Sequence, residues 1–319
     1  MDYRFSGHSG LQLPLVSLGL WHNFGSEDPF DVARDMLLHA WDKGVTHFDI
    51  ANNYGPAPGT AEITFGKVLR DDLAAHRDEM IISSKAGYWM WDGPYGNGGS
   101  RKYLISSCDQ SLRRTGLEYF DIFYSHRYDP NTPIEETMQA LVDIVRAGKA
   151  LYAGISNYPA DKQQECYNYL REAHVPCVIG QYKANIAYRE TLEQNLPVAQ
   201  ANGSGFICFS PLAQGLLTNR YLNGIPTGSR ASKNVFLRPE QVTAEAIANA
   251  QRLGAIAAER GQSLAQMAIA WLLAKNVTSV IVGASSVAQL EDLHLSLQLS
   301  QASDVAQSGA LYSLLNLLN

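Results

Sequence analysis

Short apolar runs and longer amphipathic stretches alternate along almost the whole chain, and this alternation limits the folds that the chain can adopt. The apolar runs are nearly continuous, which is typical of parallel strands buried on both faces. Eight strand candidates lie at 15–20, 45–50, 80–84, 120–125, 151–156, 177–181, 205–210 and 279–284. Helix candidates follow them near 29–43, 60–75, 101–115, 133–147, 159–173, 190–201, 243–274 and 286–295.

Eight strand–helix units predict a (β/α)8 TIM barrel with helices around its outside. A doubly wound open sheet is the alternative, but such a sheet usually begins with a Gly-rich turn after its first strand. The corresponding segment, GLWHNFGSEDPF, has no G-x-G-x-x-G pattern. The opening DYRFSGHSGLQLP predicts an N-terminal hairpin at the barrel floor, and the polar segment 217–242 predicts a long loop over the mouth. We expect residues 1–319 to form a single domain.

Composition disfavours several classes of partner. A net charge of −6 argues against nucleic acid and anionic membranes. The sequence has no apolar stretch of the roughly 18 to 20 residues that a membrane helix needs, and its start lacks a signal-peptide pattern. The four cysteines show no metal-ligand spacing, so we expect buried free thiols, no metal centre and a cytoplasmic location.

Four polar residues lie at or just after the ends of three consecutive predicted strands. Asp49 and Tyr54 belong to HFDIANNYG, Lys85 closes IISSK, and His126 closes IFYSH. Because the carboxyl ends of the barrel strands face one mouth, these side chains should converge there. A lysine ammonium about 4 Å from a phenol would stabilise the phenolate by up to roughly 4 kcal/mol at an effective dielectric of 20. That effect would lower the tyrosine pKa from its usual value of about 10 and make the phenol a proton donor near neutrality.

Each of the four residues also has a structural interpretation. Asp49 and Lys85 can form an ion pair between neighbouring strands, and Tyr54 can pack against its own turn. A single histidine such as His126 at a strand end is more often structural than catalytic. The joint placement of the four on consecutive strands favours a site in which Asp49 orients Lys85 and His126 directs a substrate carbonyl toward Tyr54.

The segments HFDIANNYG, IISSKAGY, YFDIFYSHR, GISNY and SPLAQGLL resemble the aldo-keto reductase superfamily over nearly the whole chain. Within it, WHNFG, NNYGPAPGTAE and GPYGNGGSRKYL are most similar to the bacterial L-glyceraldehyde-3-phosphate reductase group, which lies near the β-subunits of voltage-gated potassium channels. The resemblance implies an enzyme that reduces carbonyl groups with NADPH, with Tyr54 as the general acid. The catalytic tetrad that it implies is Asp49, Tyr54, Lys85 and His126.

The resemblance also implies a set of cofactor-binding residues. Ser156, Asn157 and Gln181 match positions that hydrogen-bond the nicotinamide carboxamide, and Phe209 matches the aromatic residue that stacks on the nicotinamide ring. Residues that match the loop over the pyrophosphate are Ser210, Leu212, Gln214 and Gly215, with Arg220 as a phosphate partner. The remaining candidates are Gly19, Leu20 and Trp21 beside the ring, and Ser285, Gln289 and Asp292 at the adenosine.

Two positions near the C-terminus depart from the pattern of the family. Ser286 replaces an arginine that often binds the 2′-phosphate, and Leu293 replaces an asparagine that contacts adenine. Because the missing cation removes a charge-assisted contact, NADH stays open as an alternative to NADPH.

The expected substrate is a short polar aldehyde such as glyceraldehyde 3-phosphate or methylglyoxal, and a monomer and a homo-oligomer are equally compatible with the sequence. A nucleotide-binding redox-sensing subunit with slow turnover is the alternative function. A barrel of another chemistry, with structural polar residues at its strand ends, is a third. The residues expected to line the substrate pocket are Trp21, Tyr54, Tyr88, Trp89 and His126.

Overall fold

Eight parallel strands close into a barrel in the order of the chain, with the last strand pairing with the first, and a separate two-stranded hairpin precedes them. The computed structural model describes residues 1–234 and 236–292. The hairpin strands are β1 (Tyr3–Phe5) and β2 (Gln12–Pro14). The barrel strands are β3 (Val16–Gly19), β4 (His47–Asp49), β5 (Ile81–Ala86), β6 (Phe120–Ser125), β7 (Ala150–Ser156), β8 (Cys177–Lys183), β9 (Gly205–Phe209) and β10 (Ser279–Val282). The predicted (β/α)8 barrel and its N-terminal hairpin are confirmed.

Helices cover the outside of this barrel. Within the described ranges they are α1 (Phe30–Asp42), α2 (Thr60–Val68), α3 (Arg101–Thr115), α4 (Ile134–Arg146), α5 (Ala160–Glu172), α6 (Glu190–Ala201), α7 (Arg230–Lys233), α8 (Ala244–Glu259) and α9 (Leu264–Leu273). Residues 287–292 are also helical. None of the helices in this part of the chain is long and apolar enough to cross a membrane.

The single helix predicted over 243–274 is wrong, because two helices occupy this stretch. Gly261 follows α8 with a φ of +67°, a left-handed conformation that ends a helix. Ser263 then starts α9, since its side chain accepts a hydrogen bond from the backbone N–H of Gln266. The Gln266 side chain in turn accepts from the Ser263 backbone N–H, which completes a capping box.

The hairpin closes the floor of the barrel. Leu11 and Leu13 are buried and pack with the inward-facing isoleucines of the strands. The Ser6 hydroxyl donates to the backbone carbonyl of Val178 at 2.8 Å, which ties the hairpin to β8. Each fully buried aliphatic side chain contributes roughly 1.5–3 kcal/mol, so this apolar contact holds the hairpin in place.

The register of the strands brings the predicted site residues to one end of the barrel. Asp49 pairs with Ser83, two residues before Lys85 on the neighbouring strand. His126 directly follows β6, and its backbone N–H donates to the Ala86 carbonyl at 2.9 Å. Parallel strands in register end together, so the Asp49, Lys85 and His126 side chains meet at the same mouth.

Candidate active site

A buried ion pair lies at the centre of the barrel mouth. The Lys85 ammonium is 2.7 Å from Asp49 Oδ2 and also donates to the Ile50 carbonyl at 2.6 Å. Lys85 has no exposed surface, and Asp49 is 2% exposed. Burial lowers the pKa of Lys85, while the Asp49 carboxylate opposes that shift. The carboxylate therefore stabilises a charge that desolvation alone would remove.

Tyr54 lies above this pair and keeps its proton. The Lys85 ammonium is 5.0 Å from the centroid of the Tyr54 ring. Burial, followed by the Asp49 and Tyr88 charges, raises the pKa of Tyr54 well above its usual value. This direction is opposite to the one expected from sequence, because desolvation of the phenolate outweighs the nearby ammonium. Tyr54 is thus a fully protonated donor across the physiological pH range.

His126 is a neutral imidazole beside Tyr54. Burial, and then the Lys85 and Arg127 charges, lower the pKa of His126 well below its usual value. The His126 ring contacts Tyr54 edge-on at a centroid distance of 5.8 Å. It contacts Tyr88 at 4.6 Å with an interplanar angle of 90°. The four predicted residues therefore converge, while their catalytic roles stay a prediction.

Aromatic side chains surround the accessible face of Tyr54. Trp21 lies 6.2 Å from Tyr54 between ring centroids. Phe236, from the loop over the mouth, packs on Trp21 at 4.5 Å and on His22 at 4.6 Å. Phe236 is absent from the sequence-based predictions, because nothing local indicates that its loop reaches Trp21. Trp89, which those predictions include, is 51% exposed and donates its indole N–H to Asp92 at 3.3 Å.

Amide and hydroxyl groups at the ends of β7 and β8 form one hydrogen-bonded wall next to the ion pair. The Gln181 amide donates to Asp49 Oδ1 at 2.9 Å, and Ser156 donates to the Gln181 carbonyl at 2.8 Å. Asn157 donates to Ser156 Oγ at 3.0 Å and to the His126 carbonyl at 3.1 Å. The wall predicted to hold the carboxamide is therefore joined directly to the tetrad.

The loop after β9 turns sharply beside Phe209. Ser210, Ala213 and Gln214 all have left-handed φ values, of 55°, 47° and 61°. A Cβ on Gly215, whose φ is 101°, would lie 3.2 Å from the Tyr221 ring. Within this turn the Ala213 and Gly215 N–H groups donate to the Ser210 and Leu212 carbonyls, at 3.1 and 2.8 Å, so backbone hydrogen bonds hold the loop in its shape. The predicted loop residue Leu212 packs its side chain against the core on this side of the barrel.

Arg230 is a cation that the sequence analysis did not single out. The Arg230 guanidinium donates to Gln214 Oε1 at 2.6 Å, and it lies 3.9 Å from the place that a Cβ on Gly283 would occupy. Arg230 thus binds the loop after β9 and lies next to the turn after β10. Burial lowers the pKa of Arg230, but a guanidinium stays charged at any physiological pH. The contact links residues distant in sequence, so no local motif could have predicted it.

The other predicted cofactor residues lie farther from the tetrad or in the barrel wall. Arg220 is exposed on the turn Asn219–Tyr221. The Ser285 backbone and side chain both donate to Gln289 Oε1, at 2.9 and 3.2 Å. Asp292 accepts from the Gln266 amide through its carbonyl at 3.0 Å and its carboxylate at 3.1 Å. Leu293 lies outside the described residues.

On the first barrel strand, Gly19 packs closely against β10. A Cβ on Gly19 would lie 2.6 Å from Ile281 Cγ2, so the Ile281 side chain takes the space beside it. The next residue, Leu20, is fully buried and donates through its backbone N–H to the Asp49 carbonyl at 3.0 Å. The amide wall and Arg230 fit a nicotinamide nucleotide, because amides match its carboxamide and a guanidinium matches its phosphates.

Comparisons with known proteins agree with this geometry. A sequence model of the Aldo/keto reductase family matches residues 15–307. L-glyceraldehyde 3-phosphate reductase of Escherichia coli (strain K12) is 54% identical over 298 residues, covering 92% of this chain and 86% of that protein. A probable voltage-gated potassium channel subunit beta of Oryza sativa subsp. japonica is 35% identical over 296 residues, covering 91% of this chain and 89% of that protein. The chain therefore belongs to the aldo/keto reductase family and is an NAD(P)H-dependent oxidoreductase.

Proposed function

We propose that this protein reduces short aldehydes to alcohols, taking hydride from NADPH and the proton from Tyr54. The observation that carries the proposal is the position of a protonated Tyr54 between the buried Lys85–Asp49 pair and the neutral His126. A proton donor, a balancing cation and a neutral hydrogen-bond donor are the groups that a developing alkoxide requires.

The residues divide the work as follows. NADPH, when bound, supplies hydride to the carbonyl carbon. Because Tyr54 holds its proton tightly, the proton moves to the carbonyl oxygen only as negative charge develops there. The Lys85 ammonium, 5.0 Å from the centroid of the Tyr54 ring, then stabilises the negative charge of the phenolate. His126 is neutral, so it has a single N–H with which to orient the carbonyl oxygen.

For the nucleotide, we propose NADPH over NADH. Ser286 stands where the family often has an arginine, but the Arg230 guanidinium lies next to the neighbouring Gly283 turn. Arginine pairs with phosphate through two parallel hydrogen bonds, so it suits a cofactor that carries an extra phosphate. Arg220, exposed on the next turn, is a second phosphate partner in this proposal.

For the substrate, we propose glyceraldehyde 3-phosphate, methylglyoxal or a similar short aldehyde. Support comes from the bacterial relative that is 54% identical and is named for L-glyceraldehyde 3-phosphate. Trp21 beside Tyr54, with Phe236 packed on Trp21, also suits a small substrate. In this proposal the whole chain acts as a single domain in the cytoplasm, where its buried cysteines stay reduced.

The proposal is tested by following NADPH oxidation with a panel of short aldehydes, phosphorylated and not. The wild type should turn over, and Tyr54→Phe should lower kcat by roughly 10²- to 10⁴-fold while still binding NADPH. Tyr95→Phe removes an exposed phenol and is the matched control. Failure of every aldehyde to oxidise NADPH, or full activity in Tyr54→Phe, would falsify the proposed function.

A nucleotide-binding regulatory subunit with slow turnover is the second candidate. The rice relative, a probable potassium channel subunit, favours it at 35% identity. Comparing kcat with the rate of nucleotide release separates the two functions. Turnover of several per second supports the reductase, and turnover far slower than one per minute with tightly retained nucleotide supports the regulatory subunit.

A further inference from the structure

A chain of buried hydrogen bonds crosses the barrel interior and ends on the catalytic carboxylate. Ser279 Oγ lies 2.6 Å from Ser17 Oγ, which lies 2.8 Å from His47 Nδ1. His47 Nε2 lies 3.0 Å from Ser83 Oγ, which donates to Asp49 Oδ1 at 2.7 Å. The three serines and His47 have no exposed surface. The chain thus joins four neighbouring strands, β10, β3, β4 and β5, out of contact with water.

The number of available protons fixes the direction of this chain. Asp49 is ion-paired with Lys85, so its carboxylate only accepts, and the single Ser83 proton must point to it. Ser83 Oγ then accepts from His47 Nε2–H. Burial lowers the pKa of His47 to about 4, so the ring is neutral and its Nδ1 accepts from Ser17. Every donor from Ser279 onward therefore points toward Asp49.

The Asp49 carboxylate is held from two sides by this arrangement. Its Oδ1 accepts from Ser83 and from Gln181, and its Oδ2 faces the Lys85 ammonium at 2.7 Å. If Ser83 lost its donor from His47, its hydroxyl could rotate away from Asp49, and the carboxylate would turn about its own axis. Because Lys85 binds this carboxylate, its ammonium would then shift away from Tyr54.

We propose that His47 is a positioning residue, which acts through Ser83 to hold Asp49 and Lys85 in the geometry that Tyr54 needs to deliver its proton. The inference rests on the proposed function, in which Tyr54 is the acid. His47 contacts neither substrate nor nucleotide in this proposal, so it governs the rate of proton delivery and leaves binding unchanged.

Two substitutions at His47 separate this role from simple packing. His47→Leu removes the donor to Ser83, whereas His47→Gln keeps an amide N–H near the position of Nε2. We expect His47→Leu to lower kcat by about tenfold, with the aldehyde KM and the NADPH Kd each within about twofold of wild type. We expect a larger solvent deuterium isotope effect on kcat in His47→Leu, because a misplaced acid makes proton transfer more limiting. His47→Gln should restore most of the rate and the wild-type isotope effect.

The control measurements are thermal unfolding of each variant and the activity of Tyr54→Phe in parallel. A purely structural His47 would alter KM and kcat together in proportion to lost stability, with no change in the isotope effect and no rescue by glutamine, and this result overturns the inference. If His47→Leu does not fold, Ser83→Ala replaces it, and the same loss of kcat at constant KM is expected. If turnover depends on Tyr54 but is unchanged by substitutions at His47 and Ser83, this inference alone is refuted. If the wild type shows no turnover, the proposed function itself is refuted.

Discussion

The tetrad and the phosphate side of the cofactor site are built in different ways. The tetrad stands on strand ends, and its central residues, Asp49 and Lys85, are buried and bonded to several partners. The phosphate side is built from the loop after β9 and the turn after β10, where Arg220 and Gln289 are exposed. In the proposed function, the barrel strands therefore supply the reacting groups, and the loops supply the phosphate side of nucleotide recognition.

If the two regions act separately, a substitution in the tetrad should abolish turnover and leave nucleotide binding intact. Lys85→Met removes the ammonium and keeps the length of the side chain. We expect kcat to fall by roughly 10²- to 10⁴-fold, because the phenolate loses its balancing charge. The free energy of unfolding should fall by about 3–5 kcal/mol, since Asp49 remains as a buried, unpaired carboxylate. Single-turnover kinetics, nucleotide titration and denaturant unfolding measure the three quantities.

The matched control for Lys85→Met is Lys149→Met, which breaks an ion pair with Asp109 whose two side chains are 34% and 35% exposed. This surface pair should contribute no more than about 1 kcal/mol and nothing to turnover. A Lys85→Met variant that loses NADPH affinity as strongly as it loses kcat would contradict the separation of the two regions.

The stability of the buried region around the tetrad should also fall at low pH. Burial lowers the pKa of His47 from 6.5 in the unfolded chain to about 4 in the folded protein. Since the folded pKa is the lower one, the unfolded state takes up a proton first, and stability present above pH 6.5 is lost as pH falls toward 4. For His47 the loss amounts to about 2 kcal/mol between about pH 7 and about pH 5. Asp49 and Lys85 are the charged groups that face His47, with opposite effects on its pKa.

Urea unfolding of wild type and His47→Gln at both pH values measures this loss. Glutamine does not titrate, so the variant should lose about 2 kcal/mol less than wild type over the same interval. The other histidines contribute equally to both proteins, and the difference isolates His47. Equal losses in the two proteins would mean that His47 is protonated as easily in the barrel as in the unfolded chain.

The regularity of the barrel explains what the sequence could predict. Nearly continuous apolar runs mark the strands, so Asp49, Lys85 and His126 can be recognised at strand ends. Parallel strands bring these ends together. The break between α8 and α9 has a local signal that the single predicted helix does not take into account, because the polar run 259–263 interrupts the apolar pattern around Gly261. Ser263 and Gln266 at capping-box spacing could have identified it.

Contacts that depend on the closure of the barrel could not be read from the sequence. Nothing in the sequence distinguishes Ser17, His47 and Ser279 from other strand residues. Only the circular order of β10, β3 and β4 brings them together. The direction of the Tyr54 pKa was also mispredicted, since a spacing argument counts the nearby ammonium and cannot count desolvation. A linear sequence pattern shows neither long-range contacts nor burial.

The last prediction concerns the phosphate side and tests the comparison from the other direction. Arg230→Leu removes the guanidinium that binds Gln214 and lies next to the Gly283 turn. A charge-assisted hydrogen bond contributes about 1.5–3 kcal/mol, so the NADPH Kd should rise by roughly 10- to 100-fold, with a weaker effect on NADH. At saturating NADPH, kcat should stay within about twofold of wild type, because the tetrad is untouched.

Arg220→Leu, at an exposed position, is the control and should weaken NADPH binding by less. Fluorescence titration with both nucleotides decides the matter: equal weakening of NADPH and NADH would assign Arg230 to holding the loop, and a large fall in kcat would mean that the two regions are coupled.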